Sequence, residues 1–469
     1  MSQFKPSAVQ TPPRERPPKK PAAAPKPKPV TSEAQVPSDI PEEPTDETFE
    51  AALGNNTRKF ALTCSLVFIF LRFSFLHEFL AARLHFDTHI LLAVGFLAYL
   101  IALLSGTAQT AFSDRSTWFW LGFGALMCMA TVTSIWQGGS FAIVFPYLRT
   151  TLPFILLIPA VVFSTADLKK FVNVIGLAGA TVILLGATSG DFRSGRLAMD
   201  TSSGSIGDSN DYAAHILLVL PAIAFLTFSK GRNLAVKIIG GVIMSLGLFQ
   251  VLSTGSRGGL VSLIATMLYV LKVSSLRVRL GILLAIPVIV VLAIPFLPSE
   301  SAVRLEGFFK KDTGESEAIA STQARTALLM ESLRATESHP LLGVGPGEFM
   351  DFQGKMAHDR GEQGMWHQSH NGYTQISSEC GIPAAILYIC AMISAFLSLL
   401  KGTKAKSEQI RTLSRVFIIM LVSFSICLIF LSQAYSFTLV VISAVSVVIV
   451  RLLRQPENKA EKPASVSIG

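Results

Sequence analysis

Apolar runs of about 20 residues, almost free of charged side chains, recur from residue 60 to residue 450. A helix of about 20 residues spans the roughly 30 Å hydrocarbon core of a bilayer. Runs this long and this numerous are typical of membrane-spanning helices rather than of a soluble core. The pattern therefore predicts an all-α polytopic membrane protein with about 12 transmembrane helices. The predicted spans are 60–80, 89–108, 117–137, 141–163, 171–188, 211–229, 234–252, 258–273, 278–297, 373–400, 414–431 and 434–450.

One polar connection, residues 298–372, is far longer than the others. Its centre, SEAIASTQARTALLMESLRATESH, predicts an amphipathic helix with Leu328, Leu329 and Leu333 on its apolar face. The glycine-rich stretch HPLLGVGPGEF follows at 339–349. Long loops inside compact proteins usually carry function or are disordered. The chain thus divides into a tail at 1–57, nine spans at 58–297, the large loop at 298–372, three spans at 373–452 and a second tail at 453–469.

Charge sets the predicted orientation. Only 15% of the residues are charged, whereas a soluble domain has about 25%. The net charge of +9 reflects basic residues in alternate connections, which places both termini in the cytoplasm and the large loop in the periplasm. It therefore requires no nucleic-acid partner. The first 50 residues hold 12 of the 24 prolines and a lysine cluster, which predicts a disordered cytoplasmic tail that contacts lipid headgroups or a partner.

Three polar motifs interrupt the apolar pattern, and the predicted topology puts all three at the periplasmic face. They are GDSNDYAAH (207–215), STGSRGG (253–259) and HQSHNGY (367–373). Each precedes a helix that would run inward, so each presents unpaired N–H groups and the positive end of a helix dipole. Asn210, Ser256 or Ser369 could cap these helices. Helix N-termini beside an arginine favour a phosphate or diphosphate.

Three arginines are candidates for such an anion site. Arg257 precedes an apolar run that ends at Leu271, about 14 residues or roughly 21 Å of helix, so it would lie slightly inside the membrane boundary. The alternative is an arginine that snorkels to the interface. Arg325 lies on the loop helix, and Arg196 lies in the connection near residues 190–210. The alternative for each of them is a solvated surface residue.

His370 is the candidate catalytic residue. At a helix N-terminus the dipole disfavours protonation, so a neutral imidazole could take a proton from a hydroxyl near pH 7. The alternative is a histidine that only satisfies the helix end. Asn371, its neighbour, joins Asn210 and Arg196 as a possible substrate-binding residue. Glu379 is nine residues beyond His370 and on another helix face, so a membrane-embedded polar network is the better hypothesis for it.

In this order, GDSNDYA, STGSRGG, AR on the loop helix, HPLLGVGPGEF and SHNGYTQISSECGIPAAILY resemble the O-antigen ligase and polymerase superfamily over residues 60–450. The resemblance implies a membrane glycosyltransferase that takes a glycan from undecaprenyl diphosphate without nucleotide, metal or other cofactor. It also implies that Arg257 and Arg325 hold the diphosphate and that His370 is the histidine of the periplasmic loop.

The implied partners are a carrier-linked glycan, membrane lipids and an acceptor, which is lipid A–core for a ligase or another glycan for a polymerase. The expected location is the bacterial inner membrane, with the active site facing the periplasm and inversion at the anomeric carbon. A polymerase of O-antigen or exopolysaccharide stays an alternative. A secondary transporter is the alternative from another class, although no repeat relates the two halves.

Overall fold

The computed structural model describes residues 55–86, 89–104, 107–199, 205–206, 208–309, 316–361 and 366–455. All but three residues of each predicted tail, 1–57 and 453–469, lie outside these ranges.

Helices dominate the described residues. We number the α-helices and the two strands in chain order. They are α1 Asn55–Ser74, α2 Leu76–Leu84, α3 Ile90–Leu104, α4 Arg115–Val132, α5 Gln137–Pro146, α6 Phe154–Val161, α7 Thr165–Ser189, β1 Asp191–Arg193, β2 Arg196–Ala198, α8 Ser209–Phe228, α9 Leu234–Ser253, α10 Arg257–Val273, α11 Leu276–Ala293, α12 Ser299–Phe309, α13 Ser316–Ser338, α14 Phe349–Asp359, α15 Gly372–Gly402, α16 Glu408–Cys427 and α17 Phe437–Arg454.

Eight helical segments within the described ranges are long and apolar enough to cross a membrane, or up to ten if two sharply bent pairs each count as one span. The bent pairs are Lys59–Ser74 with Leu76–Leu84, at 66°, and Ile90–Leu103 with Thr107–Ser113, at 84°. The prediction of an all-α polytopic membrane protein is therefore confirmed. Each of the twelve predicted spans overlaps a helix, but α4 and α10 are not among these ten, so the count of twelve stays a prediction.

Burial separates central from peripheral helices. The apolar stretch of α17 is 83% buried, whereas that of Leu276–Phe296, which contains α11, is only 6% buried. Leucines such as Leu283 and Leu284 are exposed on α11. A soluble protein rarely exposes an apolar surface of this size, but hydrocarbon accepts it without cost. The membrane environment therefore explains why α11 can lie on the outside of the bundle.

A two-residue turn forms the small hairpin of β1 and β2, where the sequence predicts a loop. Ser194 and Gly195 both have positive φ, 47° and 65°, as a type I′ turn requires. The hydroxyl of Ser301, on α12, lies 3.0 Å from the Gly195 carbonyl oxygen and 2.7 Å from the Ser253 carbonyl oxygen. These contacts fix the hairpin against the end of α9.

The long helix α15 is broken at Gly381, which has φ 86° and ψ 170°. The glycine-rich stretch at 339–349 fills the break. The Val344 N–H donates to the Ser378 carbonyl at 2.9 Å, and the Gly345 N–H donates to the Glu379 carbonyl at 3.0 Å. A helix break inside a membrane protein is stable when other protein groups satisfy the freed backbone atoms. This stretch supplies those groups.

Within the described part of residues 298–372, which omits 310–315 and 362–365, the structure has three helices, α12 to α14, where the sequence predicts one. Helix α13 corresponds to the predicted amphipathic helix, and Leu328 is buried as expected. The predicted apolar face is partly wrong because Leu333 is 41% exposed. The buried face instead continues through Ser332 and Ala335, at helical spacings of four and three residues.

Helices α13 and α14 are joined by one carboxylate. Glu331 is buried on α13, and its Oε1 lies 2.7 Å from Nη1 of Arg334 and 3.1 Å from Nη2 of Arg360. Arg360 directly follows α14. The pair of arginines compensates the charge of the buried Glu331 and holds the end of α14 against α13.

Candidate active site

The three polar motifs lie at three helix N-termini, as predicted. The capping residues are Asp208 for α8, Ser256 for α10 and Asn371 for α15. The expectation for Ser256 is confirmed, because its hydroxyl accepts the Gly259 N–H at 3.1 Å. The expectations for Asn210 and Ser369 are wrong. Asn210 lies two residues after the cap of α8, and Ser369 lies two residues before the cap of α15.

Asn210 joins the first two motifs. Its Oδ1 accepts a hydrogen bond from the Ser256 hydroxyl at 2.8 Å and another from Nη2 of Arg196 at 3.0 Å. Nε of Arg196 donates to the Thr254 carbonyl at 2.8 Å. The hairpin therefore delivers Arg196 to the N-termini of α8 and α10. The amide of Asn210 also donates to Oδ1 of Asp208 at 2.7 Å, which fixes that carboxylate beside them.

Four arginines from four elements form a cationic cluster: Arg196 from β2, Arg257 from α10, Arg304 from α12 and Arg325 from α13. Burial is the main cause that lowers the pKa of Arg196, and Arg304 and Arg325 lower it further. Burial likewise lowers the pKa of Arg325, with further contributions from Arg304 and Arg257. Asp208 opposes the shift in both cases. Mutual repulsion among partly buried guanidinium groups shows that positive charge is in excess here.

The guanidinium groups of Arg257 and Arg325 have donors to spare. Within the described part of the chain, neither group makes a hydrogen bond or ion pair, and both side chains are half-buried. Arginine presents a planar set of five donors that suits a phosphate oxygen pair. The N-terminus of α10 adds its dipole to the same region. The cluster is chemically suited to an anion with more than one negative charge.

His370 lies beside this cluster. It has φ 50°, a left-handed conformation that costs a side chain as large as histidine about 1–3 kcal/mol. Its backbone N–H donates to the Ser432 hydroxyl at 2.8 Å. Burial lowers the pKa of His370, Arg325 and His367 lower it further, and Asp208 opposes them. The lowered pKa favours the neutral imidazole, which is the form that can accept a proton.

Asn371 has a structural task. Its Oδ1 accepts the N–H groups of Tyr373 and Thr374 at 3.0 and 3.2 Å, so it is the N-cap of α15. This arrangement fixes the direction in which the chain leaves His370. Contact of Asn371 with a substrate stays a prediction.

Glu379 belongs to a buried polar network, as expected. Its Oε2 accepts the Gly347 N–H at 2.8 Å and the Tyr435 hydroxyl at 2.6 Å. These bonds tie the glycine-rich stretch and the start of α17 to the break in α15. Among the described residues, no group of three or more His, Cys, Asp or Glu could hold a metal ion.

The comparisons with known proteins bear on the centre of the chain. Residues 242–389 match the family model described as O-Antigen ligase. This segment belongs to the O-antigen ligase and polymerase superfamily. Members of the superfamily are membrane glycosyltransferases, and the family implies lipid-linked glycan substrates. No curated protein matches the chain.

The O-antigen ligase segment contains Arg257, Arg325 and His370, so the three residues to which the resemblance gives roles lie inside it. Arg196 and Asn210 lie before it and reach the site through the hairpin and α8. Sequence reasoning missed Arg304, Asp208 and Ser432. Asp208 was visible in the GDSNDYAAH motif as a capping residue type, whereas Arg304 and Ser432 carry no local signal.

Proposed function

We propose that this protein is an O-antigen ligase-like glycosyltransferase that moves a glycan from undecaprenyl diphosphate to lipid A–core or a similar acceptor. The observation that supports the proposal is the cationic cluster beside His370, at the N-termini of α8, α10 and α15. We further propose twelve spans, cytoplasmic termini and a site that opens to the periplasm of a bacterial inner membrane.

In this proposal the diphosphate of the donor binds the cationic cluster. Arg257 and Arg325 contact its oxygens, because their guanidinium donors have no partner within the described residues. Arg196 is already engaged by Asn210 and Thr254, so it contributes charge rather than free donors. The polyprenyl tail lies among the membrane helices, where apolar surface is abundant.

The transfer is a single displacement with inversion at the anomeric carbon. The acceptor hydroxyl oxygen forms a bond to this carbon, and the bond from the carbon to the diphosphate oxygen breaks. The electron pair of the broken bond leaves with undecaprenyl diphosphate, and the arginines stabilise the charge that develops on it. The neutral imidazole of His370 accepts the proton of the attacking hydroxyl.

Deletion of the gene, followed by a glycan profile, tests the function and the type of enzyme. A ligase predicts that polymer on lipid A–core disappears while carrier-linked polymer accumulates. A single repeat on the core would instead show a polymerase, which the family also contains. An unchanged profile with altered uptake of a solute would refute both enzymes and favour a transporter.

Complementation of the deletion strain tests the cationic cluster. A charge-assisted hydrogen bond contributes about 1.5–3 kcal/mol, so Arg257→Ala and Arg325→Ala should each reduce transfer roughly 10- to 150-fold. Arg334→Ala is the matched control, because Arg334 lies on the same helix as Arg325 and pairs with Glu331. Full complementation by both Arg257→Ala and Arg325→Ala, at normal protein levels, would show that the diphosphate binds elsewhere.

A further inference from the structure

The connection between α16 and α17 contacts the site through four consecutive residues, Ser432 to Tyr435, which we call the brace. A short 3-10 helix, Leu428–Phe430, precedes it, and α17 follows it. The brace lies outside the segment that matches the O-antigen ligase family model, which ends at residue 389. Its contacts reach three different elements of the site.

Each residue of the brace has a different partner. Ser432 accepts the His370 N–H, and the Gln433 side chain lies beside the carboxyl group of Asp211, the residue after Asn210. The last two residues hold α15. The Ala434 N–H donates to Oε1 of Gln375 at 3.2 Å, and the Tyr435 hydroxyl donates to Oε2 of Glu379 at 2.6 Å.

The preceding 3-10 helix also fits closely between two of the helix N-termini. A Cβ atom at Gly258, on α10, would lie 2.8 Å from Cβ of Phe430. A Cβ atom at Gly372, on α15, would lie 2.5 Å from Cγ of Leu428. Neither position has room for a side chain, so the connection packs directly against the backbone that carries Arg257 and His370.

The contact to His370 is unusual because it holds a strained backbone. His370 has φ 50° and is the last residue of the segment 366–370. Trp366, the first residue of this segment, also has φ 50°. The Trp366 N–H donates to Oε1 of Gln353 at 3.0 Å. Residues 366–370 are therefore tied at both ends by side-chain acceptors on other elements. Left-handed conformations of large side chains persist only where the surroundings hold them.

We propose that Ser432 is a positioning residue, whose hydroxyl holds His370 in its left-handed conformation and so directs the imidazole to the acceptor hydroxyl beside the arginines. This inference rests on the proposed function, since it requires His370 to act in transfer. Ser432 itself does not contact the substrate. Its loss should misplace the proton acceptor without weakening the diphosphate site.

The test uses purified full-length protein in nanodiscs, a labelled undecaprenyl-diphosphate-linked glycan and the lipid A–core acceptor. Ser432→Ala should lower kcat about 5- to 30-fold, equivalent to about 1–2 kcal/mol, and leave KM for the donor within about twofold. Ser432→Thr keeps the hydroxyl and should restore most of kcat. Ser432→Cys, nearly the same size but a poor acceptor, should resemble Ser432→Ala and gives a second variant if alanine impairs folding.

Ser436→Ala is the matched control. Ser436 lies four residues further along the same connection, where its hydroxyl caps α17 by accepting the Thr438 N–H at 3.3 Å. Like Ser432→Ala, this substitution removes a serine hydroxyl, but the hydrogen bonds of this hydroxyl are to Thr438 and not to a site residue. It should lower thermal stability and leave kcat per folded molecule unchanged.

A double-mutant cycle separates positioning from general damage. In a His370→Ala background, Ser432→Ala should cause no further loss, because the residue that it positions is absent. A second loss of similar size there, an unchanged kcat in Ser432→Ala alone, or a raised KM with normal kcat would each overturn the positioning role. Normal transfer by His370→Ala would instead overturn the proposed role of His370 itself. Failure of the proposed function can therefore be distinguished from failure of the positioning role of Ser432.

Discussion

Substitution of Gly381 tests whether the glycine-rich stretch really fills the break in α15. Gly381 has φ 86°, and a Cβ atom there would overlap the Leu341 carbonyl and lie 2.7 Å from the backbone nitrogen of Leu342. These neighbours are backbone atoms, so they cannot rotate away. The Ile382 N–H, directly after the break, donates to the Pro340 carbonyl at 2.8 Å, so backbone shifts would also weaken that bond.

The cost of Gly381→Ala has two parts. A non-glycine residue in this φ region is strained by about 1–3 kcal/mol. Forced overlap in a packed interior adds about 1–3 kcal/mol. Gly231→Ala is the matched control, because Gly231 has the same φ of 86° but has no atom within 4 Å of an added Cβ. It therefore has the strain without the overlap.

The assay measures the apparent Tm of the purified protein in one detergent. The readout is the loss of the monodisperse peak on heating. With roughly 1 °C per kcal/mol for a chain of this size, Gly381→Ala should melt about 1–3 °C below Gly231→Ala. Gly241→Ala, on α9 with nothing within 4 Å of the added Cβ, should match the wild type or exceed it. Equal Tm values for Gly381→Ala and Gly231→Ala would show that residues 340–342 do not pack in the break.

Three further predictions concern the loop helices, the caps and the pH profile. Glu331→Gln should destabilise the protein by roughly 1 kcal/mol, because its two arginine partners lose their counter-charge. Glu337→Gln is the control, because Glu337 is an exposed residue on the same helix, and it should have no effect on Tm. Ser256→Ala should cost about 1 kcal/mol through loss of the α10 cap, also measured by Tm. Arg325 helps to lower the pKa of His370, so the residual activity of Arg325→Gln should fall at a higher pH on acidification than wild-type activity does, and an unmoved acid limb would contradict the pairing.

Local features of the sequence predicted much of the fold and the frame of the site. Twenty-residue apolar runs predicted helices at twelve places, because the backbone N–H and C=O groups of a membrane-spanning segment must be hydrogen-bonded within that segment. Ser256 was predicted as a cap because a cap bonds only two or three residues along the chain. Arg257, Arg325 and His370 were singled out by motif and order, and the structure places all three in one region.

Contacts between distant residues could not be predicted in this way. Ser432 lies 62 residues beyond His370. Arg304 lies on a different helix from Arg325, whose pKa it lowers. Neither Ser432 nor Arg304 therefore belongs to a local sequence pattern. The buried face of α13 was misassigned at Leu333, because three leucines fit two neighbouring faces of one helix. The break at Gly381 depends on a stretch that precedes it by about forty residues.

The central claim is that His370 and the arginine cluster transfer a glycan from a polyprenyl diphosphate. The most direct measurement follows both products of one turnover, glycosylated acceptor and released undecaprenyl diphosphate, with purified protein, a chelator and no nucleotide. The prediction is one acceptor glycosylated per carrier released, with at least a hundredfold slower transfer by His370→Ala and by an Arg257→Ala, Arg325→Ala double variant. Carrier release without acceptor glycosylation, or wild-type transfer by either variant, would contradict it.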